Sequence, residues 1–139
     1  MGAPVKKHDH VDLTIESLAF GGNGVARVNG FVVFVRRALP GDTVRAQVTR
    51  VKRGYAEATA VELLEPGPDR VEPRCRHVGM CGGCRFQELS YQAQVDAKEE
   101  QVHDAFRRIA RMPDAPIEPI VPSRSQFEYR NKLEYSFSQ

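Results

Sequence analysis

The sequence predicts a β + α protein, in which a small antiparallel, OB-like β-barrel precedes a cysteine loop, one helix and the first strand of a truncated α/β domain. Five short segments of alternating apolar and polar residues lie between residues 11 and 64, with turn residues between them, as is typical of small barrels. All three cysteines fall between residues 75 and 84. A segment with helical periodicity then follows Ser90. We expect units at 5–66, 67–98 and 90–139, with the start of the helix shared by the last two.

Alternation and turn chemistry define the strands of the predicted barrel. Asn29-Gly30 is the strongest short hairpin signal, and Pro40-Gly41 suits the central positions of another turn. The glycine-rich segment 21–24 predicts a tight turn and lacks the Gly-Lys-Ser/Thr of a phosphate loop. The predicted strands cover residues 11–16, 25–28, 31–35, 44–49 and 55–64.

Basic residues are concentrated in the barrel. Between Val25 and Tyr55 the chain has seven arginines and lysines against one acidic residue, Asp42, a local excess of six. Such an excess favours a polyanionic partner, and a basic groove with an aromatic side chain is typical of single-stranded nucleic-acid binding. The alternative is a solvated rim of charges. The candidate RNA contacts are Arg36, Arg37, Arg50, Lys52, Arg53 and Tyr55.

Other functional classes are disfavoured by composition. No apolar run approaches the length of a membrane span, and the N-terminus has no apolar core for a signal peptide. We therefore expect a cytoplasmic protein with no membrane partner. We also expect it to be a monomer. His8 and His10 are interpreted as part of a polar terminus rather than as metal ligands.

The cysteines have the spacing C-x5-C-x2-C, at Cys75, Cys81 and Cys84. Thiolates bind soft metals, and glycines between them allow a loop to turn around a metal. Three interpretations stay open: an iron–sulfur cluster with a fourth ligand from elsewhere, a zinc site completed by His77, and unligated thiols. A structural disulfide is disfavoured by the odd number of cysteines.

Ser90 is predicted to cap a helix that runs to about Arg111, before Met112-Pro113. Its apolar stripe is interpreted as a core-packing face and consists of Tyr91, Val95, Val102, Phe106 and Ile109. The segment 129–137 alternates and predicts a strand with an aromatic face. Because a lone strand has no pairing partner, we expect the chain to be truncated inside a larger domain.

Three motifs, in this order, resemble one known family. Gly21-Gly-Asn-Gly-Val-Ala-Arg27 and Ala38-Leu-Pro-Gly-Asp42 resemble the TRAM domain, a small RNA-binding β-barrel. Cys75-x5-Cys81-Gly-Gly-Cys84-x2-Gln87-x3-Tyr91-x2-Gln94-x3-Lys98 resembles the cluster-binding segment of bacterial RNA uracil-5-methyltransferases. Tyr129-Arg-Asn-Lys132 resembles the opening of the central domain in that family. The resemblance covers nearly the whole chain.

The resemblance implies an RNA-modifying function. The family transfers a methyl group from S-adenosylmethionine to C5 of a uridine in ribosomal or transfer RNA, and holds a 4Fe–4S cluster with four cysteines. Cys75, Cys81 and Cys84 match the first three ligands, and the fourth has no counterpart in this sequence. The nucleophile, the general base and the S-adenosylmethionine pocket belong to a C-terminal domain in the family. We therefore expect no catalytic or S-adenosylmethionine-binding residue in this chain, and no activity from it alone.

A second hypothesis belongs to a different functional class. It is a free-standing RNA-binding module with a structural metal knuckle, of zinc or iron–sulfur, and no catalysis.

Overall fold

The computed structural model describes residues 2–130, Lys132 and Glu134. Six strands and one helix make up its regular structure, and a π-helical turn at Ala105–Ile109 extends the helix. The strands are β1 (His10–Thr14), β2 (Ser17–Leu18), β3 (Gly24–Val28), β4 (Phe31–Arg36), β5 (Thr43–Val51) and β6 (Tyr55–Glu65), and the helix is α1 (Tyr91–Asp104). All five predicted strands are present, and the short β2 is an addition.

The six strands form one mixed sheet in the order β1-β5-β6-β4-β3-β2. The prediction of an antiparallel sheet is wrong at one place, because β4 and β6 pair in parallel, with Val32 opposite Tyr55 and Arg36 opposite Thr59. After β4 the chain first forms β5 and then returns as β6 between β4 and β5. Sequence alternation specifies which face of a strand is buried, not which strand lies beside it, so this order was not predictable from the pattern.

The sheet is strongly curled, but its ladder does not close into a barrel over the described residues. β1 and β2 are the two edge strands, yet only two residues separate them in the chain. The backbone N–H of Ile15 donates to the backbone carbonyl of Asp42 at 2.8 Å, and the N–H of Glu16 donates to the carbonyl of Val25 at 2.8 Å. The connection therefore joins both edges of the sheet, which forces the curl that a barrel would have.

The core lies inside this curled sheet. Alternate residues of β5 and β6 face inward, as the period of a strand requires, and the fully buried ones there are Val44, Ala46, Val48, Ala56 and Ala58. Other strands add Leu13, Ala26, Val33 and Val35 to the same cluster. A fully buried valine contributes about 1.5–3 kcal/mol, so the β domain has a substantial apolar core of its own.

The predicted turns are confirmed by their backbone angles. Asn29 and Gly30 have φ of 50° and 80°, which a two-residue hairpin of type I′ requires. Gly41 has φ of 86°, and the N–H of Asp42 donates to Leu39 at 3.0 Å, so Pro40-Gly41 occupies the centre of a type II turn.

The helix begins as predicted, but its apolar stripe is only partly buried. The hydroxyl of Ser90 accepts from the N–H of Ala93 at 3.3 Å, which confirms the cap. Val95 is buried, whereas the side chains of Phe106 and Ile109 are 38% and 82% exposed. The prediction of a continuous core-packing face is therefore wrong beyond the middle of the helix, because no described element packs there.

Two further predictions concern the end of the chain and membranes. Most of the predicted strand at 129–137 lies outside the described residues. Within the part of the chain that the structure describes, no helix is long and apolar enough to cross a membrane.

Candidate functional site

A buried ion pair ties the β domain to the segment that follows it. The carboxylate of Asp42 is fully buried and accepts hydrogen bonds from the backbone N–H groups of Leu39 (2.8 Å) and Gly67 (2.9 Å). Arg70 donates to both carboxylate oxygens, at 3.1 and 2.8 Å, and also to Glu88 at 2.7 Å. The proline-rich segment 66–73 is therefore fixed to the β domain.

The electrostatics of this pair have two opposing causes. Burial by itself raises the pKa of Asp42, but the hydrogen bonds from Arg70, Gly67 and Leu39 outweigh it and hold the pKa below its ordinary value of 3.8. The hydrogen bond to Asp42 likewise raises the pKa of Arg70. Both groups are therefore charged at neutral pH.

The cysteine loop begins and ends at one short pairing of backbone. The N–H of Val71 donates to the backbone carbonyl of Glu88 at 2.7 Å, and the N–H of Ser90 donates to the backbone carbonyl of Asp69 at 2.8 Å. Arg70 and Leu89 form an isolated antiparallel bridge between them. The loop 72–87 therefore leaves and re-enters the fold at one place, directly beside the start of α1.

Gln87 links the first and last cysteines of the loop. Its amide oxygen accepts from the N–H of Cys75 at 2.9 Å, and its amide nitrogen donates to Sγ of Cys84 at 3.5 Å. The N–H of Gly83 donates to Sγ of Cys81 at 3.4 Å. Hydrogen bonds of this kind are the ones that orient and tune metal-bound thiolates. Two of the three sulfurs thus already have an N–H partner.

The three cysteines are free thiols, and Cys81 and Cys84 are exposed. His77 is a further side chain of metal-binding type in the loop, and its Nδ1 lies 3.8 Å from Sγ of Cys75. Within residues 2–130, Lys132 and Glu134, no three side chains of His, Cys, Asp or Glu converge in a metal-binding group. The donor set of three thiols and one imidazole fits a soft metal or cluster in its chemistry.

Arginines from two other segments hold the loop from outside. Arg37, which follows β4 with φ of 61°, donates to the carbonyl of Gly79 at 3.0 Å. Arg130 donates to the carbonyl of Gly83 at 2.8 Å. Arg37 therefore connects the β domain directly to the cysteine loop, a contact across 42 residues of sequence that no local pattern indicates.

The candidate RNA contacts separate into two groups at opposite ends of the sheet. Tyr55 pairs with Val32 and Thr59 with Arg36, so Tyr55 and Arg36 are about 13 Å apart along the strands, at ~3.3 Å per residue. We call the end with Arg36 and Arg37 the loop end. The opposite end, the hairpin end, has Arg50, Lys52, Arg53 and Tyr55. The sequence indicates all six as candidate contacts, but it does not show how the strands are ordered and so does not show that they lie at two ends.

The basic excess of the β domain is smaller than the sequence count. Arg45 donates to Asp12 at 2.9 Å and to Glu62 at 3.1 Å, and Arg27 pairs with Glu16. Among the described residues, the five other basic side chains of this region make no ion pair with a carboxylate. These are the candidates Arg36, Arg37, Arg50, Lys52 and Arg53.

Sequence reasoning missed two features of the site. Phe20, in the glycine-rich turn, is 92% exposed, and a large aromatic residue beside two glycines was the available signal. Arg85 and Lys98 line clefts beside the cysteine loop. The sequence indicated Lys98 only as the end of the motif that begins at Cys75, and the signal of Arg85 was weak because isolated basic residues are common on surfaces. Tyr55 is half-buried and packs edge-on against Phe34, with ring centroids 5.5 Å apart.

A comparison with protein families identifies the β domain. A model of the TRAM domain matches residues 4–61, which include all six strands except the end of β6. The chain is therefore a TRAM-domain protein.

Curated relatives extend this assignment to nearly the whole chain. A protein of Halalkalibacterium halodurans named as an RNA methyltransferase is 41% identical over 132 residues, covering 95% of this chain and 29% of the relative. Proteins with the same kind of name are 42% identical in Synechocystis, covering 93% of this chain and 28% of the relative, and 46% identical in Bacteroides thetaiotaomicron, covering 87% and 27%. Over 87–95% of its length, the chain is therefore similar to the N-terminal part of these relatives. It spans less than a third of the length of these relatives.

A solved structure is also similar. The solution structure of a conserved protein of Methanococcus maripaludis is 42% identical, with a TM-score of 0.42, over 43% of this chain and 86% of that one.

Proposed function

We propose that this chain is the RNA-binding and 4Fe–4S part of an S-adenosylmethionine-dependent RNA (uracil-C5) methyltransferase that acts on ribosomal or transfer RNA. The TRAM domain and the RNA methyltransferase relatives support the general function. Because the chain spans only 29% of the length of such a relative, methyl transfer and S-adenosylmethionine binding are assigned to the part that the relatives have in addition.

The observation that carries the proposal is the construction of the cysteine loop. Its three thiols lie within ten residues, its two ends are joined by backbone hydrogen bonds, and Gln87 bridges Cys75 and Cys84. Cys75, Cys81 and Cys84 would hold the cluster, with a fourth ligand from outside the described residues. When bound, the cluster would supply a rigid cross-link between three points of the loop.

The remaining residues of the site have positioning roles in this proposal. The hydrogen bond from Arg37 to Gly79 sets the loop against the loop end of the sheet. The Asp42–Arg70–Glu88 network fixes the base of the loop to the β domain. A loop stiffened by metal would therefore hold the β domain and the start of α1 in a fixed arrangement. RNA bound to the β domain would then lie in a fixed position relative to α1.

Metal content tests the cluster. After anaerobic reconstitution with iron and sulfide, we expect about four irons and four sulfides per chain, with broad visible absorption. Cys81→Ser and Cys84→Ser are expected to lose most of this iron. Met80→Leu is the matched control, because Met80 lies in the same loop and is 81% exposed. Failure of both serine variants to reduce the iron content would remove these cysteines from the ligand set.

One contact favours a second candidate, the RNA-binding module with a zinc knuckle. His77 Nδ1 lies 3.8 Å from Cys75 Sγ, and the loop holds the four donor side chains that a zinc site of three cysteines and one histidine needs. It predicts about one zinc per chain, no sulfide, and loss of zinc in His77→Ala. The cluster proposal predicts that His77→Ala keeps its iron.

Salt-dependent binding tests the RNA partner. We expect the chain to bind single-stranded RNA with an affinity that falls as salt rises, since each bound phosphate releases counterions. Replacing Arg50, Lys52 and Arg53 with alanine should lower the slope of log K against log salt by about 0.7 for each phosphate that is no longer bound. Arg45→Ala is the matched control, because Arg45 is already paired with Asp12 and Glu62. An unchanged slope in the triple variant would remove the hairpin end from the RNA interface.

A further inference from the structure

Phe20 is held at the tip of a turn with its ring in solvent. The N–H of Ala19 donates to the backbone carbonyl of Asn23 at 2.8 Å, and the N–H of Gly22 donates to the carbonyl of Ala19 at 3.0 Å. Gly21 and Gly22 have φ of 90° and 89°, which residues with a Cβ rarely adopt. A single exposed apolar side chain is common on protein surfaces, so its surroundings decide what it does.

Phe20 forms one wall of a groove of about 710 Å³ between this turn and α1. This volume is within the usual range of about 300–1,000 Å³ for small-ligand pockets. Most of the lining is apolar, and Phe86 is the second aromatic side chain in it. The charged members are Arg85 and Lys98, and among the described residues no carboxylate lines the groove.

Contacts of the β domain with the cysteine loop and with α1 fix the shape of the groove. A Cβ placed on Gly22 would lie 3.0 Å from Cβ of Arg85 and 3.1 Å from Cδ1 of Phe86, so only glycine allows the turn to pack this closely. On the other side, the amide of Gln101 donates to the carbonyl of Leu18 at 3.0 Å. The two walls are therefore held in position by the folded chain before any ligand arrives.

We infer that this groove is a stacking site for a base of single-stranded RNA, with Phe20 as the platform and Arg85 and Lys98 as the phosphate partners. The inference rests on the proposed RNA-binding function. Aromatic faces combined with cations, without acidic residues, match a ligand that has flat bases and an anionic backbone. Gly24 pairs with Val35, so the turn lies at the loop end, beside Arg36 and Arg37. This end therefore binds bases as well as phosphates.

Binding of RNA to single variants of the full 139-residue chain tests the inference. The probe is a short single-stranded RNA with one 2-aminopurine, measured by fluorescence anisotropy and by quenching of the reporter base. Phe20→Ala is expected to raise Kd about tenfold and to abolish the quenching. Phe20→Leu should behave like Phe20→Ala, because leucine keeps apolar surface but offers no ring, and Phe20→Tyr should restore both signals.

Three controls separate stacking from other effects. Ile109→Ala removes a side chain that is 82% exposed and lies outside the groove, and it should bind as the unmodified chain does. Duplex RNA has its bases already stacked, so its Kd should not respond to Phe20→Ala. The thermal unfolding midpoint of Phe20→Ala should equal that of the unmodified chain.

Each contrary outcome has a definite meaning. Unchanged affinity and quenching in Phe20→Ala, with salt-dependent binding intact, would overturn the stacking site and leave the proposed function standing. Full affinity in Phe20→Leu would also overturn it, because the groove would then need only apolar surface. If the unmodified chain binds no RNA, the proposed function fails and this inference fails with it.

Discussion

The β domain and the segment after it are stabilised by different interactions. The β domain has a continuous ladder and a closed apolar cluster of twelve buried residues. In the described chain beyond residue 66, Leu89 and Val95 are the only buried apolar side chains. That segment is attached through charged and polar contacts, chiefly Asp42–Arg70–Glu88, Arg37–Gly79 and Gln101–Leu18. The sheet therefore folds by burying apolar surface, whereas the position of the cysteine loop depends on a few hydrogen-bonded groups.

The largest expected effect comes from removing the buried carboxylate that joins the two regions. Asp42→Ala leaves Arg70, whose side chain is only 17% exposed, without its partner, and leaves two backbone N–H groups unsatisfied. We expect the free energy of unfolding to fall by about 3–5 kcal/mol, measured by urea denaturation. Asp12→Ala is the matched control, because its pair with Arg45 is exposed, and its midpoint should hardly change. Equal effects of the two substitutions would contradict the special role of Asp42.

Acid should weaken the same connection in a defined direction. The pKa of Asp42 is below 3.8 in the folded chain, so its charge stabilises the fold above the unfolded pKa, and this contribution is lost as pH falls through the folded pKa. Asp42→Asn keeps the shape without the charge. The difference in unfolding free energy between the two proteins should be constant above about pH 5 and shrink below pH 3.8. A difference that stays constant down to about pH 2 would contradict the assignment.

Gly67 lies in close contact with the turn at Pro40-Gly41, whereas Gly54 is in open space. A Cβ on Gly67 would lie 2.7 Å from the carbonyl oxygen of Pro40 and 2.8 Å from the carbonyl carbon of Gly41, whereas a Cβ on Gly54 meets nothing within 4 Å. Gly67→Ala is therefore expected to destabilise by about 1–3 kcal/mol, and Gly54→Ala by much less. Chemical denaturation of both variants measures this, and similar decreases in stability would show that the close approach at Gly67 is relieved without strain.

The smallest expected effect concerns the start of α1. Ser90→Ala removes the hydroxyl that accepts from Ala93 and should lower stability by about 1 kcal/mol, with a small decrease in helical circular dichroism. Ser123→Ala, outside the helix, is the control for removal of a serine hydroxyl. If Ser90→Ala and Ser123→Ala have the same effect on the helical signal, the cap does not stabilise α1.

Local chemistry made much of the β domain predictable. Asn29-Gly30 and Pro40-Gly41 encode their turns through backbone angles, and the alternation in β5 places Val44, Ala46 and Val48 on one face. The parallel pairing of β4 with β6 was not predictable, because the order of strands depends on how the whole chain is connected. The pairing of β4 with β6 also places Arg36 and Arg37 at one end of the sheet and the other four candidate RNA residues at the opposite end.

The site depended more on distant contacts. The spacing of the cysteines indicated the loop, but the partners that hold it, Arg37 and Arg70, come from positions that no local pattern connects to it. The stripe on α1 shows the opposite failure. Val102, Phe106 and Ile109 have helical periodicity, yet they are exposed in the described structure, because periodicity indicates a common face and not what covers it. The metal and the RNA contacts stay predictions until they are measured.

The paired base of the cysteine loop has a consequence for how this fold can diversify. Since the backbone N–H of Val71 is already hydrogen-bonded to the carbonyl of Glu88 at 2.7 Å, the fold fixes the two points from which the intervening residues emerge, and the arginine contacts to Gly79 and Gly83 are the further attachments of the loop. Doubling the length of a flexible loop between fixed ends costs only about 0.6 kcal/mol. We therefore expect insertions or deletions between these contacts to be tolerated, so that the same β domain can carry a longer or shorter cysteine loop without redesign of its core.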